Sequence, residues 1–141
     1  MAYASQAELE TRFGTDELVQ LTNRAGGTTI DPAVVASALD GASAEIDGYL
    51  AVRYATPVAP VPTSLREACL AIARYKLHGK SAGETVRRDY DDAVRFLRDI
   101  ADGRAALAGA APPTTSPASG PVRFEAPARR LSRSELRDFT G

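Results

Sequence analysis

Tryptophan is absent from the 141 residues, and cysteine, histidine and methionine occur once each. A lone cysteine, Cys69, excludes an internal disulfide framework. With one histidine beside it there is no Cys/His cluster at zinc-ligand spacing. Aromatic residues make up only 6% of the chain, so its core has to be built mainly from Ala, Leu, Val and Ile, which favours closely packed helices. Neither sign of charge dominates: 17 Lys and Arg stand against 18 Asp and Glu, for a formal net charge of −1. A protein whose main task is gripping nucleic acid usually shows a basic excess or patch, and none is visible at whole-chain level. No apolar run approaches the roughly 20 residues that span a bilayer, and no signal-peptide pattern opens the sequence. These absences predict a soluble protein made in a cytoplasm, with no membrane association.

What is present is the grammar of helices. Ser5-Gln-Ala-Glu8 reads as a capping box, with Gly14 as the stop, and Thr15-Asp-Glu-Leu restarts a helix with acids in its first turn. Residues 23–30 read as a loop, and Asp31-Pro32 as an N-cap followed by proline at the first helical position. From there Val35, Leu39, Ala42, Ile46 and Tyr49/Leu50 form one apolar stripe, predicting a helix to about Tyr54. Gly41 and Gly48 inside it suggest close approach of another helix, from the same chain or a neighbour. Thr56-Pro-Val-Ala-Pro-Val-Pro62 cannot continue a helix and reads as a stiff connector. Ser64-Leu-Arg-Glu67 reads as a second capping box, opening the most buried helix, which runs to about His78. A last long helix starts near Glu84, with Val86, Tyr90, Ala93/Val94, Leu97 and Ile100/Ala101 inward. Asp91–Arg95 and Arg95–Asp99 lie at pairing distance on its outer face.

The composition then shifts. Residues 109–121 are rich in Pro, Ala and Ser and read as a linker that buries too little apolar surface to fold alone. Apolar residues return after it, and Ser132-Arg-Ser-Glu135 is a further capping box. Leu131 before the cap and Leu136 in the first turn form a hydrophobic staple. A helix this short is marginal alone. The expectation is a docking arm, 122–141, that orders on a partner through Phe124, Leu131, Leu136 and Phe139, flanked by Arg130 and Arg133. The fold class expected is therefore all-α: a bundle of four to five helices over residues 1–108 with an extended C-terminal arm.

The search for chemistry finds little. His78 sits at a helix C-terminus, where a cation favours the dipole, and has no sequence partner for a triad. Cys69 lies on an apolar helix and reads as core. Asp47, alone in an apolar stretch, is expected to pair with Arg53, Arg74 or a backbone donor. Gly26-Gly-Thr-Thr29 and Gly79-Lys-Ser81 lack the remaining Walker residues and read as turns. Arg87 and Arg88 are followed at once by Asp89, Asp91 and Asp92, which suits a solvated face better than a DNA grip. The expectation is a non-enzymatic protein without catalytic residues, metal or cofactor.

Ser43-Ala-Glu-Ile-Asp-Gly-Tyr-Leu-Ala-Val-Arg-Tyr54, the prolines 57 and 62, and Ile72-Ala-Arg-Tyr-Lys-Leu77 carry a resemblance. With the opening Tyr3-Ala-Ser-Gln-Ala-Glu-Leu9 and the closing Arg130-Leu-Ser-Arg-Ser-Glu-Leu-Arg-Asp-Phe139, they resemble the Mu-like head protein family of tailed phages and prophages. The chain is similar in size and helical layout to the wider head–tail connector (adaptor) class. Leu131 stands where the family's closing segment usually carries an aromatic. The resemblance implies a virion protein of the neck, made in the host bacterial cytoplasm. It also implies a homo-oligomeric ring, twelve-fold like the portal, bound to the portal protein and to a neck, stopper or tail-completion protein. It marks Asp47, Gly48, Tyr49, Arg53, Tyr54, Arg74 and Tyr75 as the structural motif. A DNA-binding or packaging-associated helical module, or another head or tail completion protein, is the alternative.

Overall fold

A computed structural model describes residues 2–110. The linker beyond Ala110 and the proposed arm anchors Phe124, Arg130, Leu131, Arg133, Leu136 and Phe139 lie outside the described residues. The described chain is all-α, with five α-helices: α1 (Gln6–Phe13), α2 (Thr15–Thr22), α3 (Pro32–Leu50), α4 (Thr63–His78) and α5 (Glu84–Ala101). None is long and apolar enough to cross a membrane.

Most helix starts follow the local grammar. At α1 the Ser5 backbone N–H donates to Glu8 Oε2 at 2.8 Å, and the Glu8 N–H returns a bond to Ser5 Oγ at 3.4 Å. Gly14 ends α1 with φ of 89°, a left-handed backbone that an L side chain would strain. At α3 the Asp31 carboxylate accepts from the N–H groups of Ala33 and Val34, at 2.9 and 3.4 Å. One start differs. α4 begins at Thr63 directly after Pro62 and, like α2 and α5, has no side-chain cap, where a capping box is expected. Ser64 already lies inside the helix, and Glu67, expected to complete a capping box, instead pairs with Arg12 of α1.

Every member of the predicted α3 stripe from Val35 to Leu50 except Tyr49 is buried. The helix stops at Leu50 rather than near Tyr54, because the chain turns over 51–53. The turn leaves Val52 69% exposed and swings Tyr54 into the core. α4 packs on both α3 and α5 and carries seven buried residues, so it is the central helix, as its composition suggested. α5 buries Val86, Ala93, Val94, Leu97 and Ile100. On its outer face the two expected ion pairs are replaced. Arg95 approaches Asp92 at 3.7 Å, and Asp99 binds Arg104 at 3.2 Å. The exchange follows from the chain folding back after α5, where the Arg104 and Ala105 N–H groups both donate to the Asp99 carbonyl.

The two α3 glycines divide. A methyl on Gly41 would sit 3.4 Å from the Lys76 stem, so α4 does approach closely there, whereas Gly48 faces open space. The proline connector is fastened rather than free: Val58 is buried within it, and its N–H donates to the Tyr3 hydroxyl at 2.9 Å.

Candidate interaction surfaces

Polar side chains converge at four places, and each joins elements far apart in sequence. The first lies at the N-terminus. Tyr3 is buried, and its N–H donates to Ser43 Oγ at 3.0 Å. Its hydroxyl donates to Asp47 Oδ1 while accepting from Val58. Asp47 therefore finds a partner in a tyrosine far upstream in sequence. Burial, then the Asp47 carboxylate, push the Tyr3 phenol up to about 12. Ser43 Oγ also donates to the Leu39 carbonyl and lies 3.7 Å from Cys69 Sγ. Burial raises the Cys69 thiol, so it is a core group and a poor nucleophile. Replacing Tyr3 with phenylalanine keeps the ring but strips partners from Asp47 and the Val58 N–H. The expected loss is about 1–3 kcal/mol, read from urea unfolding midpoints.

The second place centres on Arg74. Its Nε and Nη2 donate to the two carboxylate oxygens of Glu17 at 2.7 and 3.1 Å, the planar fork geometry that arginine suits. Its guanidinium lies 4.4 Å from the centroid of the Phe13 ring, and Asp89 stands 3.7 Å away. His78 Nε2 is 3.1 Å from the same Glu17 oxygen, so the histidine has a partner that its sequence neighbourhood does not show. Burial opposes ionisation of Glu17, but bonds from Arg74 and His78, together with their charges, outweigh it and hold the carboxyl below its usual range.

On the third face Tyr75 stacks on Tyr90 at a centroid distance of 4.2 Å, and the Tyr90 hydroxyl donates to Glu45 at 2.7 Å. That bond to Glu45, then burial, push the Tyr90 phenol up to about 12. Lys76 reaches the other Glu45 oxygen at 2.9 Å, and half-buried Tyr49 packs beside this group. The fourth place lies where the chain folds back after α5. The Leu107 N–H donates to the buried Tyr54 hydroxyl at 3.2 Å, and a side chain at Gly103 would collide with the Arg53 guanidinium.

The seven motif residues thus do not form one site. Asp47 fastens Tyr3, Arg74 and Tyr75 tie α4 to α2 and α5 respectively, and Arg53 and Tyr54 hold the segment after α5. Gly48 faces open space on α3, and Tyr49 is half-buried against the core. Sequence reasoning missed Tyr3, Glu17, Glu45 and Tyr90, which meet their partners across 31 to 61 positions. Among the described residues no group of His, Cys, Asp and Glu is arranged to hold a metal ion. The surface also holds a groove of about 330 Å³ between α1, α4 and α5, lined by Phe13, Ala68, Ala71, Ala93 and Phe96.

Comparison with known proteins gives this helical chain a context. The family described as "Bacteriophage Mu, Gp36" matches residues 3–126. The chain is similar to the Mu-like prophage FluMu protein gp36 of Haemophilus influenzae, with 38% identity over 105 residues, or 74% of each chain. It is similar also to gene product J of Escherichia phage Mu, with 36% identity over 105 residues and the same 74% of each chain.

Proposed function

The chain belongs to the bacteriophage Mu Gp36 family, and on that premise we propose that it is a non-enzymatic structural protein of the virion neck, a head–tail connector (adaptor). Copies form a ring, twelve-fold to match the portal, bound beneath the portal protein. The far side receives a stopper or other neck or tail-completion protein.

The observation that carries this reading is a division of labour along the chain. In the helical domain the clustered charges are used as ties between helices, Arg74–Glu17 and Lys76–Glu45 among them. Among the described residues every buried side-chain nitrogen and oxygen has a hydrogen-bond partner. A bundle braced in this way suits a load-bearing subunit better than a reactive centre, where polar groups stand ready for a substrate. The remaining sequence carries a helix start with apolar anchors at Leu131, Leu136 and Phe139, the pattern of a segment that orders on a partner. In this reading the arm engages the portal or an adjacent subunit once the ring forms. Deleting residues 121–141 is expected to leave heads and tails that form separately but fail to join, counted by electron microscopy of lysates. Full joining with the truncated protein would remove the arm from this role.

A further inference from the structure

Two depressions share Leu21 and Arg24 and so run together as one groove, bounded by the last turns of α2 and α4 and the first turns of α3. The larger part encloses about 670 Å³, against 330 Å³ for the groove between α1, α4 and α5. Its surface is aliphatic: Ala38 and Leu77 are buried at the floor, Leu21 is half-buried, and Ala33 and Val34 stand exposed. Its rim is cationic. Arg24, Lys76 and Lys80 line it, and no carboxylate does. Three other grooves on the bundle differ, each setting arginine beside Asp or Glu. In a chain of formal net charge −1, an acid-free rim does not follow from composition.

Helix ends explain part of that charge. Lys76 and His78 sit in the last turn of α4, where a cation favours the dipole, and Glu45 and Glu17 hold them. Arg24 and Lys80 are different. Both are exposed, both lie beyond the ends of α2 and α4, and neither makes an ion pair among the described residues. We propose that this groove docks a segment of another protein in which Asp or Glu flanks aliphatic side chains. The aliphatic residues enter between Leu21, Val34 and Leu77, and the acids meet Arg24 and Lys80.

Charge and shape select this occupant over others. A nucleic-acid backbone would meet two unpaired cations and leave the aliphatic floor unused. The other large hydrophobic that the described residues leave exposed, Val52, is followed by Arg53, so a second copy's turn would bring the wrong charge to this rim. The groove is also preformed. Thr22 Oγ1 accepts from the Asp31 N–H at 3.0 Å and donates to the Leu18 carbonyl at 2.7 Å, which ties the end of α2 to the start of α3. Asn23 Oδ1 accepts from the Gly27 N–H at 3.1 Å and braces the loop between them. Docking therefore orders little of the host chain. Peptide capture here is independent of whether the chain serves as a connector.

The test screens short random peptides, displayed on yeast, against the full-length chain. Enriched sequences are expected to place acids on either side of aliphatic residues. The leading peptide, synthesised with a fluorophore, then reports binding by anisotropy. Arg24→Glu with Lys80→Glu should weaken it at least about tenfold, a loss of some 1.4 kcal/mol. Val34→Asp alone should weaken it by a similar factor. All three positions are exposed, so the circular dichroism of each variant should match the wild type and keep a binding loss interpretable. Enriched peptides that lack acids, or binding indifferent to the charge reversals, would overturn the proposal. So would a library from which nothing enriches. A labelled DNA duplex that binds and is released by the same two reversals, with no peptide enriched, would assign the groove to nucleic acid instead.

Discussion

Replacing Ile72 with alanine should lower the unfolding free energy by about 2–5 kcal/mol, the range for deleting a fully buried aliphatic side chain without collapse of the site. Ile72 has no exposed surface and lies on α4, the helix that packs against both α3 and α5. One feature argues for the upper half of that range. The neighbouring core is built from many small side chains, Ala42, Ala68 and Ala73 among them, which have no rotamers with which to refill a void. For a domain of about this size, total stability is commonly 5–15 kcal/mol, so one truncation removes a large share. Urea unfolding followed by far-ultraviolet circular dichroism measures it. A loss below 1 kcal/mol would show that the core around α4 repacks freely.

Removing the charge of Arg74 is expected to have the next largest effect. Arg74→Met keeps much of the apolar stem but leaves the Glu17 carboxylate with His78 as its remaining hydrogen-bond partner and takes the cation from the Phe13 ring. Glu17 and Arg74 are only 27% and 19% exposed, so water does not fully replace the lost bonds. The expected cost is about 1–3 kcal/mol at neutral pH. The pH dependence separates this loss from one of packing. Because the folded protein holds the Glu17 carboxyl below its ordinary value, ionised Glu17 contributes stability that is fully present above the unfolded value of 4.5. It is lost as pH falls through the folded value. The gap between wild type and Arg74→Met should therefore be widest near neutrality and narrow on acidification below about pH 4. Glu8, whose carboxyl is also held low, through its bonds to Ser5, is common to both proteins and cancels in the comparison. A gap that stays constant down to acid pH would mean that Arg74 acts only through its stem.

The contrast between these two residues shows what was legible in advance. Ile72 is a core residue by periodicity alone, because burial of one helical face imposes a 3.6-residue repeat that can be counted. The same is true of the stripe from Val35 to Leu50, and of starts such as Ser5 and Asp31, where the capping atom and its target lie within three positions. Arg74 was marked as a motif residue, but its partner was not, since Glu17 lies 57 positions away and no local spacing encodes that meeting. Asp47 illustrates the same limit. Its local sequence offers Arg53, Arg74 or a backbone donor as partners, and only the packing of residues 2–4 against α3 brings the Tyr3 hydroxyl to it. The misplaced capping box at Ser64 has a different origin. Two overlapping signals competed there, and the proline at 62, followed at once by helix, moved the start one residue ahead of the serine.

The anchoring of Tyr3 has a practical meaning for handling the protein. The first residues of a folded chain commonly fray, exchange their amide hydrogens quickly and tolerate whatever is fused to them. Here the Tyr3 amide is bonded to a buried serine, and Ala4 beside it is buried as well. That amide should exchange with deuterium as slowly as those in the middle of α4, opening only when the whole bundle opens. A tag fused close to Tyr3 is expected to lower the unfolding midpoint, and one set off by a flexible spacer to leave it unchanged.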